Sequence, residues 1–187
     1  MIGTMTGMRR RPRSASALIL TLLCTALAAG TTTSPAAQSA PVGSACDAHP
    51  KTANLNFTLK DMSGANVSLS SFAGKVLILD FWATWCSPCK EEIPEFIALQ
   101  KRYGTRGLQV IGVSVDDSPA KMRAYAAELQ VNYPLLDGRK ADDLMKAFAP
   151  ITKIPTAFVI GPDGAICRKH SGFASPETFE REVTALF

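Results

Sequence analysis

Asp80-Phe81-Trp82-Ala83-Thr84-Trp85-Cys86-Ser87-Pro88-Cys89-Lys90 is the stretch on which the reading of this chain turns. It closes a nearly continuous apolar run, Val76-Leu77-Ile78-Leu79-Asp80-Phe81-Trp82, of the kind that forms a central strand buried on both faces. A helical pattern follows, with Ile93, Phe96, Ile97 and Gln100 on one face and Pro94 predicting a kink. Cys86 and Cys89 therefore sit where a strand hands over to a helix. The first backbone N–H groups of a helix are unpaired and the macrodipole is positive there. A thiolate at Cys86 is stabilised by that field, and its pKa is expected below the free value of about 8.5. Cys89, one turn along, is placed to attack Cys86 and release any partner bound to it. Pro88 fixes the first turn without removing a donor that the helix needs. A zinc half-site would need a second ligand pair, and the sequence has no other CxxC and no clustered histidines. A purely structural bridge has no use for a helix start. The pair reads as a redox dithiol.

Outward from this point the pattern is that of one α/β domain. Phe57-Thr58-Leu59 and Asn66-Val67-Ser68-Leu69 alternate with period two around the turn Asp61-Met62-Ser63-Gly64, predicting a hairpin. Gly104 and Gly107 end the first helix. Leu108 to Val115 reads as a second buried strand, interrupted by Gly112. Ser118-Pro119 starts a helix with Met122, Tyr125, Ala126 and Leu129 on one face. A shorter helix is expected from Asp142 to Phe148. Thr156 to Ile160 and Ile166 to His170 form a hairpin about Gly161-Pro162-Asp163-Gly164. Ser175-Pro176 opens a last helix that buries Phe179, Val183 and Leu186. The predicted order is hairpin, β, α, β, α, α, β, β, α, a mixed central sheet flanked by helices.

The segment from Asp80 to Lys90 resembles the active-site segment of the thioredoxin superfamily. The match extends to Glu92-Ile93-Pro94 and to Lys153-Ile154-Pro155-Thr156, and it covers about Asn54 to Phe187. The amino-terminal hairpin and the inserted helix between Pro119 and Gln130 are similar to the TlpA/ResA-like branch of extracytoplasmic thiol–disulfide oxidoreductases. That resemblance implies a thioredoxin-like sandwich with no cofactor beyond the Cys86–Cys89 disulfide and no metal. It implies reduction of client-protein disulfides in cytochrome c maturation or copper-centre assembly, with re-reduction by an upstream membrane thiol donor. A copper-binding assembly factor using the same two cysteines is the alternative, for which only His170 could serve as the distant histidine. A peroxidase would need T-x-x-C surroundings that the chain lacks.

Several residues are expected around the dithiol. Asp80 is a carboxylate in an apolar strand, so burial should raise its pKa. By resemblance it takes and returns the Cys89 proton through water, although the branch often has no acid there. Glu92 matches the acidic residue of the branch's E-x-P motif, which tunes the pair; a helix-surface glutamate is the plain alternative. Pro155 should follow a cis bond, letting the backbone of Ile154 receive an extended client segment, with Thr156 beginning the next strand. Trp85 is expected to cover the sulfurs and contact the partner, and Trp82 either does the same or packs in the core. Lys90, His49 and His170 read as surface residues, and Asp116-Asp117 and Asp142-Asp143 as loop or helix-cap acids.

Cys46 and Cys167 remain. They are expected to form a structural disulfide, the alternatives being two free thiols or a resolving role for Cys46. Ahead of Cys46, residues 1–29 read as a signal peptide or an uncleaved amino-terminal anchor. Arg9, Arg10, Arg11 and Arg13 form the basic region, and Ala15 to Ala29 form the apolar one. Cys24 follows Leu22-Leu23, not the small residue a lipobox needs. Residues 30–45 form an uncharged linker rich in Thr, Ser, Pro and Ala, and 46–187 form the domain. The placement is thus periplasmic or otherwise extracytoplasmic, in an oxidising compartment. Of 20 Lys+Arg in the 187 residues, those four arginines precede every acidic residue. The net charge of +4 therefore belongs to the leader. That argues against a nucleic-acid binder, which would carry its charge on a folded face.

Overall fold

The structure, a computed structural model, describes residues 46–47, 50–148 and 150–187. The leader, the linker and His49 lie outside the described residues. Strand β3 (Val76–Trp82) is buried along its whole length, as its apolar run demands. It pairs in parallel with β4 (Leu108–Ser114) and antiparallel with β6 (Thr156–Ile160). Parallel pairing needs a crossover, and α1 (Ser87–Tyr103) supplies it. A second crossover through α2 (Pro119–Leu129) leads to β5 (Leu135–Asp137), parallel to β4. After α3 (Asp142–Ala147), β6 and β7 (Ile166–Ser171) form the predicted hairpin, and α4 (Pro176–Thr184) closes the chain. The strand order is β5-β4-β3-β6-β7.

Side chains of β3 alternate between two cores, as a strand requires. Val76, Ile78 and Trp82 pack with Ile93 and Phe96 of α1, Met122 of α2 and Phe179 and Val183 of α4. Leu77, Leu79 and Phe81 face the other layer, with Leu59, Leu69, Leu144, Phe148 and Phe158. The amino-terminal hairpin, β1 (Thr58–Lys60) with β2 (Asn66–Ser68), is a separate small sheet joined to β5 by the Asp61–Leu136 bridge. Residues 51–53 run along β7: Thr52 bridges Ala165, and Ile166 donates its N–H to the Lys51 carbonyl at 2.8 Å.

Two sequence expectations need correction. The predicted order omits β5, a three-residue strand between the second and third helices. Gly112 does not interrupt its strand but pairs with Asp80 on one side and Leu135 on the other. A Cβ there would lie 2.6 Å from Leu135 Cδ2 and 2.9 Å from Trp82 Nε1, so glycine is what lets these neighbours close in. Helix α1 carries Pro94 inside it and continues to Tyr103, the missing donor costing one hydrogen bond.

Candidate active site

The site forms where β3 ends. Cys86 is the N-cap of α1, with extended backbone angles, and its Sγ accepts the Cys89 N–H at 3.3 Å. The first helical turn is thus aimed at the sulfur that sequence reasoning chose as the nucleophile. The two cysteines are joined as a disulfide, and both are buried. Pro88 lies in the first turn of α1.

The two acids lie buried in the same region. Asp80 is enclosed in mid-strand, and its Oδ1 has no hydrogen-bond partner. Burial, with the nearby Glu92 charge, holds its pKa well above the ordinary carboxylate range. Glu92 is buried rather than on the helix surface. Burial pushes its pKa to about 7, opposed by the Ala174 N–H and reinforced by the Glu91 charge. Its Oε1 accepts that N–H at 2.8 Å, while Oε2 has no partner.

The Ile154–Pro155 bond is cis. Thr156 opens β6 opposite Phe81, which brings this loop beside the end of β3. The Pro155 carbonyl accepts the N–H of Gly172, and Thr156 Oγ1 donates to the Lys153 carbonyl, both at 2.8 Å. Gly172 has φ of 94°, a conformation that favours glycine. Trp85 is exposed and donates its indole N–H to Asp116 at 3.1 Å, whereas Trp82 is buried in the core beside Tyr125. Lys90 is exposed.

Sequence reasoning missed the part played by Asp117. It is no solvated cap but a buried hub. It accepts the Thr84 N–H at 2.6 Å, the Thr84 hydroxyl at 2.7 Å and the Ser114 hydroxyl at 2.9 Å, and it pairs with Lys121 at 2.8 Å. Burial pushes its pKa up, but Lys121 and these donors outweigh that and hold it below the usual range. The hub fixes the loop that leads into Cys86 to the end of β4. Two adjacent acids directly after a parallel strand were the available signal. The buried phenol of Tyr133 was also missed; its pKa is raised by burial and then by Asp80.

Cys46 and Cys167 are joined as a second disulfide, on the edge strand β7. His170 bonds Glu182 at 2.8 Å. Among the described residues no group of three or more His, Cys, Asp or Glu is arranged to hold a metal ion.

Comparison with known proteins agrees with this geometry. The model of the AhpC/TSA family matches residues 50–169. The thiol-disulfide oxidoreductase ResA of Bacillus thuringiensis subsp. konkukian is 29% identical over 131 residues, covering 70% of this chain and 75% of that protein. The thioredoxin-like protein YneN of Bacillus subtilis is 33% identical over 131 residues, covering 68% and 75%. A solved thiol:disulfide interchange protein of the thioredoxin family from Chlorobium tepidum is 32% identical. It superposes with a TM-score of 0.67 over 75% of this chain and 99% of that one. With its CxxC disulfide at the head of α1, this chain belongs to the AhpC/TSA family of thioredoxin-like proteins and is a thiol–disulfide oxidoreductase of the ResA/DsbE type.

Proposed function

We propose that the protein works outside the cytoplasmic membrane as a reductant of client-protein disulfides, with clients in cytochrome c maturation or copper-centre assembly. The observation that carries the chemistry is Cys86 Sγ at the N-cap of α1, accepting the Cys89 N–H from the helix's first turn. In the reduced protein that position favours the thiolate. The Cys86 thiolate attacks one sulfur of a client disulfide, and the other client sulfur leaves as a thiolate. Cys89 then loses its proton and attacks Cys86, releasing the second client thiolate and forming the Cys86–Cys89 bond. Two electrons pass from the protein to the client.

The Cys89 proton needs an acceptor inside a dry core. The unpartnered oxygens of Asp80 and Glu92 are suited to it. A Glu92 pKa of about 7 populates both its forms at neutral pH, so it can accept a proton in one half-cycle and return it in the next. Ile154, held by the cis bond, offers its backbone to an extended client strand, and Trp85 offers its exposed ring.

Residues 1–29 are a secretory signal or anchor in this reading, and 30–45 the tether. No helix among the described residues is long and apolar enough to cross a membrane. A Cys89→Ser variant tests the reading, because it cannot release its partner: extracytoplasmic fractions should yield a mixed disulfide on Cys86. A glutathione equilibrium at the oxidising end of the superfamily range, near −120 mV, would instead make the protein an oxidant.

A further inference from the structure

Two aromatic rings are held in solvent at the end of the sheet where the disulfide lies. Trp85 is 57% exposed and Phe173 is 49% exposed. Neither ring has an aromatic or cationic partner among the described residues; exposed Phe187, by contrast, stacks with Tyr103 and Arg106. Phe173 is not loosely placed. The residue before it, Gly172, gives its N–H to the Pro155 carbonyl, and the residue after it, Ala174, gives its N–H to Glu92, each at 2.8 Å. A chain pinned on both sides of one residue holds that side chain outward at a fixed place. Trp85 is fixed by its bond to Asp116, just beyond β4.

The strand order sets where these rings stand. Trp85 is anchored on the β4 side and Phe173 on the β7 side, and β3 and β6 lie between. Cys86 follows β3 and Pro155 precedes β6, so the disulfide and the cis-proline loop fall between the two rings. The cysteines themselves are buried. A hydrophilic disulfide arriving alone would gain little from this rim, whereas a segment with apolar side chains would cover both rings and exclude water from the exchanging sulfurs. Three strand spacings separate β4 from β7, about 14 Å, or about four residues of extended chain.

We propose that Phe173 is a specificity-determining residue. Together with Trp85 it selects an extended client segment whose cysteine has an apolar residue about two positions away on each side. This rests on the thiol–disulfide reading above and names its substrate class.

The test uses the reduced full-length protein and two synthetic peptides, each supplied as its symmetric disulfide dimer. One carries leucine two positions before and after its cysteine, and the other carries serine there. Cys86 takes one peptide as a mixed disulfide while the other leaves as thiolate, and Cys89 then frees the first. In a single turnover, wild type should show a second-order rate constant about tenfold higher for the leucine peptide, the worth of burying about half a phenylalanine. Phe173→Ser should bring that ratio close to one, and Phe173→Leu should restore most of it. A wild-type ratio near one, or a ratio that survives Phe173→Ser, overturns the proposal. Should Phe173→Ser not fold, Phe173→Ala takes its place, and a leucine preference that survives in it overturns the proposal. Failure of wild type to reduce either peptide or insulin would sink the thiol–disulfide reading instead, a separate result.

Discussion

The protein holds two disulfides whose surroundings differ in almost every respect. Cys86 and Cys89 are three positions apart, Cys46 and Cys167 are 121 apart. The first bond sits at a helix N-cap, on a loop pinned by Asp117, in a region with two buried carboxylates that each keep one oxygen without a hydrogen-bond partner. The second ties the first described residues to an edge strand, beside an ion pair between Asp47 and Arg168 and the backbone bonds of residues 51–53. The chemistry of a disulfide is therefore set less by the bond than by what can stabilise a thiolate and move a proton next to it. Among the described residues no helix N-cap and no carboxylate oxygen left without a partner stands at the distant pair, which is suited to hold the chain in place.

The largest break in that comparison should come from Cys86→Ser, which removes the nucleophile. Insulin reduction should fall by more than about a thousandfold, while Cys46→Ser keeps most of the wild-type rate. Comparable losses in the two variants would erase the division of labour.

The reverse contrast holds for stability. Paired replacement of Cys46 and Cys167 by serine opens a closed loop of over a hundred residues. Urea denaturation should show a loss of about 4–5 kcal/mol in the chain-entropy model. Replacement of Cys86 and Cys89, which close a short loop, should cost clearly less. If the active-site pair proved the more stabilising, the assignment of the distant pair to structure would be wrong.

The acids sharpen the comparison further. Glu92 titrates near pH 7 in the folded protein against 4.5 in its ordinary state. The folded state then binds the extra proton, so stability is full below about pH 4.5 and declines as pH rises through about 7. The decline is on the order of 3 kcal/mol. Glu92→Gln should flatten that slope in denaturant titrations across this range; an unchanged slope would remove Glu92 from the buried proton site. The smallest effect is expected at the loop. Asp117→Asn should cost about 1–3 kcal/mol, because the Thr84 and Ser114 donors lose a charged acceptor. It should also slow insulin reduction while leaving the Cys46–Cys167 bond intact, as read by mapped alkylation.

Much of this was legible in the chain. Val76–Trp82 announced a central strand by its apolar run, and Cys86-Ser87-Pro88-Cys89 announced the chemistry by its place at a helix start. What stayed hidden depends on long-range contacts. Thr84 lies 33 positions from Asp117, so nothing local distinguishes that acid from a solvated cap. Ala174 lies 82 positions from Glu92, and the pose of Phe173 follows from that bond. Strand β5 is only three residues long and follows Pro134, too short for periodicity to register. Gly112 looked like a strand breaker because the crowding by Trp82 and Leu135 comes from neighbouring strands.

The central claim is that Cys86, once reduced, stands as a thiolate at the head of α1. Its alkylation rate in the full-length reduced protein can be followed from pH 4 to 10, with each label mapped to its residue by mass spectrometry. The account predicts a half-maximal rate at Cys86 well below pH 8.5, the value of a free thiol, with Cys89 lagging behind it. A Cys86 midpoint at or above that of a free thiol would contradict the account.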